Sequence, residues 1–65
     1  MVNPEASPIM KYFTYDHLPA RLAVISEAFC MLAEYVEESL PSGAEKSTAL
    51  RKLLEAKDAA VRTLI

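Results

Sequence analysis

The break at Pro41, Ser42 and Gly43 separates two stretches of helical period, and it does most to limit what this chain can fold into. Upstream, Leu22, Ile25, Phe29, Leu32 and Val36 recur three and four residues apart, one apolar stripe on a helix expected over 18–40. Downstream, Leu50, Leu53, Leu54, Ala56, Ala60, Val61 and Leu64 mark a second helix over 43–64. Pro19 suits a first helical turn, with Asp16 or His17 as cap. The run "SGAE" reads as a capping box, Ser42 accepting from the Glu45 N–H and Glu45 reaching back. Arg51–Glu55 and Asp58–Arg62 are spaced for ion pairs on the second helix. Two helices of about 22 residues, each about 33 Å long at 1.5 Å per residue, joined by a short loop, favour an antiparallel hairpin.

Ahead of the hairpin lies a lead-in, 1–17, interrupted by Pro4 and Pro8. Ser7 and Pro8 can open a short helical turn, Ser7 as cap and Pro8 at the first position. The alternative is an extended segment through Tyr12–Tyr15. The expected class is all-α, a single domain over 1–65.

Such a domain is hard to stabilise alone. A chain of 65 residues buries only about 60% of the surface its unfolded form exposes, and small scaffolds usually need a staple. Cys30 is the single cysteine, so no disulfide forms within the chain, and one Cys with one His does not build a structural zinc site. Oligomerisation is the staple left. A second apolar set, Ala20, Val24, Ala28, Met31 and Tyr35, widens the apolar surface of helix 1 beyond what a hairpin covers, and points the same way. The first helix is net acidic and the second net basic, which suits packing within or between chains. The expectation is a compact helical oligomer.

Several functions are poorly served. The net charge of −2 gives no general attraction to nucleic acid, and no basic recognition helix is evident, so DNA is not an expected partner. No apolar run reaches the roughly 20 residues of a membrane span, and "MVNPEASPIM" lacks the regions of a signal peptide. A soluble, intracellular protein is expected. Cys30 sits mid-helix among apolar neighbours, where a cysteine usually acts as a small hydrophobe. Glu34, Glu37 and Glu38 have no histidine near them and read as a solvated face. No catalytic constellation, cofactor motif or metal site emerges, so the chain is not expected to be an enzyme.

Binding is better served. Phe13 and Tyr15, in extended backbone, would point to one side, where two rings can shelve a planar ligand such as a nucleobase. Composition alone favours the rings lying down on the hairpin as cover, and they can also divide the roles, Phe13 inside and Tyr15 at the rim. Lys46 and Ser47 fall at the start of helix 2, where free N–H groups and the dipole favour phosphate. Arg21 opens helix 1, where a cation opposes the dipole and calls for a partner, either a phosphate or an acid such as Glu45.

"FTYDHLP", then a helix, then "LPSGAEKSTALRKLLEAKDAAV" resembles the phage anti-CBASS sponges, whose hairpin domain also occurs in anti-Thoeris sponge proteins. That family's pattern is an F-x-Y-H lead-in, a helix, a Pro-containing turn and E-[RK]-S-x-A-L-x-x-L-x-x-A. Matching residues are Phe13, Tyr15, Glu45, Lys46, Ser47, Ala49, Leu50, Leu53 and Ala56, over most of the chain from Phe13 on. Asp16 stands between Tyr15 and His17, and Ser26, Glu27 and Ala28 stand where some members carry basic residues. The resemblance implies a homohexamer in the cytoplasm of an infected bacterium. It would bind cyclic dinucleotides such as cGAMP, or cyclic trinucleotides, between subunits without cutting them. Tyr15 would stack on a base, Phe13 support it, and Arg21, Lys46 and Ser47 meet the phosphates. The competing expectation is a small helical oligomeric module that docks a protein through Val24, Met31 and Tyr35.

Overall fold

The computed structural model describes residues 7–65. It holds a short 3₁₀ helix, Pro8–Phe13, and two long helices, α1 (Ala20–Ser39) and α2 (Ala44–Arg62). The break expected at Pro4 lies outside the described residues. Pro8 opens the 3₁₀ helix, where its fixed φ and missing N–H carry no penalty. Lead-in residues up to Phe13 are therefore helical rather than extended, and Phe13 and Tyr15 do not share a strand face.

The long helices pack against each other, and the 3₁₀ helix packs on both. Their direction follows from two contacts. Arg21, at the start of α1, donates to the Leu64 carbonyl just past α2. Lys46, in the first turn of α2, donates to the Glu37 carbonyl near the end of α1 at 2.8 Å. The helices are antiparallel, as the short loop required.

Both helix starts differ from the expected caps. The Leu18 N–H donates to the Tyr15 carbonyl at 3.1 Å, so Asp16 and His17 sit inside a turn and Pro19 becomes the N-cap. The α2 N-cap is Gly43, without a side-chain cap. The helix starts one residue later than "SGAE" suggested, which places Lys46 rather than Glu45 at the box's third position and leaves Ser42 outside it. Of the two ion pairs expected on α2, Arg51–Glu55 is present at 3.9 Å across exposed side chains, while Asp58 instead approaches Lys57.

The core is Met10, Phe13, Ala33 and Leu50, with Phe29, Cys30, Val36, Leu53 and Leu54 packed around it. The buried line of α1 passes through Leu22, Ser26 and Ala33. Leu32, expected in the stripe, is 49% exposed. Ala56 is exposed on α2, while Lys46 and Lys57 are buried. Among the described residues no helix is long and apolar enough to cross a membrane.

Candidate functional site

Three basic side chains hold the fold's helix ends together. The last carbonyls of a helix have no partner within it and carry the negative end of its dipole. Lys57 donates to the Tyr12 carbonyl at the end of the 3₁₀ helix. Lys46 does so for α1, which has no basic residue of its own in its last turn, and Arg21 serves the end of α2. Each cation comes from a different element than the end it serves. Arg21 and Lys46 oppose the dipoles of their own helices and satisfy their neighbours'.

This arrangement separates the five residues singled out from sequence. Phe13 is fully buried, so its ring is core. Lys46 is 9% exposed and committed to Glu37, meeting both its carbonyl and its carboxylate, the latter at 2.7 Å. Ser47 is exposed beside it, with its N–H donated to the Gly43 carbonyl. Arg21 lies at the other end of the hairpin, about 24 Å along α1 from Glu37 at 1.5 Å per residue. One chain therefore does not bring Arg21 to Lys46 and Ser47, nor to Glu45.

Tyr15 is half-buried, and its hydroxyl donates to Glu27 at 3.3 Å. The Glu27 carboxylate beside it raises the phenol above its ordinary pKa. Tyr15 lines a cleft of about 310 Å³ together with Asp16, Cys30, Met31 and Glu34. Among the described residues Asp16 and Glu34 supply that cleft's charge, and no Lys or Arg lines it beside Tyr15. Burial, and then Glu34, push the Cys30 thiol up, away from the thiolate.

A second cleft has the opposite character. It measures about 400 Å³ and runs between the lead-in, α1 and α2. Lys11, Lys57 and Arg62 supply cations, with His17, Thr14 and one carboxylate, Asp58, also in its wall. The Tyr12 ring lies in the same wall, 56% exposed, with the Lys11 ammonium 5.2 Å from its centre. Ser26 of α1 lines it too. That residue is fully buried and its hydroxyl has no hydrogen-bond partner among the described residues, a state that usually costs about 1–3 kcal/mol.

Sequence reasoning passed over this cleft because its residues come from three elements with no shared spacing. The one available signal was Lys57, a charge in line with Leu50, Leu53 and Leu54 on the packed side of α2. Long basic side chains occupy such positions by burying their stems and extending the ammonium to a polar target.

No family model, no curated protein and no solved structure matches the chain at a significant level.

Proposed function

We propose that the chain is a phage anti-defence sponge, which binds cyclic di- or trinucleotides of bacterial CBASS immunity and holds them uncut. The observation that carries this reading is the basic cleft. A chain of net charge −2 needs its cations gathered locally to hold a polyanion, and Lys11, Lys57 and Arg62 are gathered around an exposed tyrosine. Cations for phosphates and a ring for a base are the two recognition elements a nucleotide asks for. The sponge-like pattern from Phe13 to Ala56 supports the same ligand class. Assembly into a hexamer in the host cytoplasm belongs to this proposal, with the Tyr15 cleft facing another subunit whose cations offset its carboxylates.

Calorimetric titration with a panel of cyclic di- and trinucleotides tests it, with the ligand recovered intact after denaturation. Saturable binding is expected; a folded protein that binds none of the panel removes the sponge reading. The two tyrosines then locate the ligand. Stacking losses of about 1–3 kcal/mol per base correspond to a 5- to 150-fold weakening for Tyr12→Ala if the ring in the basic cleft carries the base. The same loss at Tyr15→Ala, with Tyr12→Ala silent, places the base between subunits.

A second reading rests on a specific observation. Val24, Met31 and Tyr35 are 66%, 63% and 68% exposed along α1. An apolar face of this kind usually marks contact with protein. Under the sponge reading it joins subunits; under the alternative it docks a partner helix. Met31→Glu is expected to reduce the mass in solution to that of one chain while helicity persists. If the wild-type chain is already a monomer and binds no nucleotide, the protein-docking module is the better account.

A further inference from the structure

We propose that the inner end of the basic cleft is a phosphoryl subsite, in which the Ser26 hydroxyl and the Lys57 ammonium donate to the oxygens of one phosphate, with Arg62 at its rim. The proposal rests on the nucleotide reading for the identity of the natural ligand, but the subsite itself rests on the donors that line one cleft.

Ser26 is the first observation. Its side chain is fully enclosed, it lines the cleft, and its hydroxyl has no hydrogen-bond partner among the described residues. Alanine at that position would favour the helix and strand no polar atom. In the proposal, a phosphate oxygen that displaces the cover over this wall completes the hydrogen bond that the described residues leave unmade.

Lys57 is the second. An ammonium has three N–H donors, and one goes to the Tyr12 carbonyl. The Asp58 carboxylate, at 3.9 Å, is too far for a hydrogen bond. The Lys57 ammonium also lies 5.8 Å from the centre of the buried Phe13 ring, a second contact on the core side. The ammonium is thus held in place with donors to spare. A hydroxyl and a fixed cation, with a guanidinium at the mouth, suit a group that is anionic and accepts without donating. A phosphodiester or phosphate meets that description.

The test uses the full chain and two probes: inorganic pyrophosphate, which carries phosphoryl oxygens and no base, and 3′,3′-cGAMP. Wild type, Ser26→Ala and Arg62→Gln are titrated with each, and their melting temperatures are measured without ligand. Ser26→Ala is expected to melt at the same temperature or higher, since it removes an unpaired polar atom. It is expected to weaken both probes about 10-fold or more, the scale of a hydrogen bond to a charged group. Arg62→Gln, an exposed change, is expected to weaken both probes as well. Pyrophosphate binding that depends on Ser26, without any binding of cGAMP or other cyclic nucleotides, keeps the subsite and removes the sponge. Binding of cGAMP that neither variant weakens keeps the sponge and overturns the subsite. A Ser26→Ala chain that melts much lower assigns the hydroxyl to the fold and overturns the proposal, as does a wild type that binds neither probe.

Discussion

Phe13→Ala is expected to cost about 3–5 kcal/mol of stability, the usual range for emptying a buried aromatic site. Domains of this kind hold about 0.05–0.15 kcal/mol per residue, so the loss consumes most of what 65 residues provide. The ring is fully buried in the cluster with Met10, Ala33 and Leu50. It is where the 3₁₀ helix enters the space between α1 and α2, so truncation opens a cavity bordered by all three elements. Refilling that space would require the lead-in to shift, and Lys57 pins the lead-in through the Tyr12 carbonyl. Urea unfolding followed by circular dichroism measures the effect. A midpoint near zero urea is expected for the variant. A loss under about 1 kcal/mol, small against the range for such truncations, would mean that the hairpin holds itself together and the lead-in merely rests on it. The same variant separates core from ligand contact: a ring that served mainly as a shelf for a base would lower affinity and leave the midpoint alone.

The hairpin was legible because its signals are periodic and local. Leu22, Val36, Leu50, Leu53 and Leu54 recur at helical spacing, and Pro41 to Gly43 interrupt them. The 3₁₀ helix was half legible: Pro8 announced a start, but nothing in "KYFTY" distinguishes a helical turn from an extended run. The face of α1 was read slightly rotated. Large residues attract attention, yet the fully buried positions are Ser26 and Ala33, small side chains where neighbouring elements approach closely. Leu32 and Met31, larger and more apolar, turn outward.

The site was least legible, for a physical reason. Arg21 and Lys46 stood out as cations at the wrong ends of their helices, and that oddity was real. Its resolution is tertiary: each completes the far end of the neighbouring helix, a pairing that only the antiparallel arrangement creates. Of the basic cleft's cations, Lys11 and Arg62 had no local anomaly to mark them. The Ser26 hydroxyl is unusual only because of what packs over it.

Loss of the Glu37 carboxylate is the second large effect expected. Glu37 accepts from the Ser7 N–H and from the Ser7 hydroxyl, both at 3.1 Å, and from the Lys46 ammonium at 2.7 Å. It therefore ties the start of the 3₁₀ helix to α1 and α2 at once. Its side chain is 16% exposed and that of Lys46 9%, so Glu37→Ala leaves a nearly buried ammonium facing only a carbonyl, at a cost of about 3 kcal/mol. The hydrogen bond from Lys46, then that from Ser7, hold the Glu37 carboxyl below its ordinary pKa of 4.5. A carboxylate depressed on folding adds stability that is full above its unfolded value and vanishes as pH falls through the folded one. Wild type should thus lose stability progressively below about pH 4.5, and Glu37→Gln, already weakened at neutral pH, should lose less over the same range. Denaturation midpoints at pH 7 and in acid decide it: parallel losses in the two proteins would assign the acid sensitivity elsewhere. Replacing Glu37 and Lys46 together by methionine separates the pair's own worth from the penalty of stranding one charge. Removing both charges should recover much of the single-variant loss, because the cost lies chiefly in the uncompensated ammonium. If the double variant is as unstable as Glu37→Ala, the two Ser7 hydrogen bonds, and not the ion pair, hold the lead-in to the hairpin.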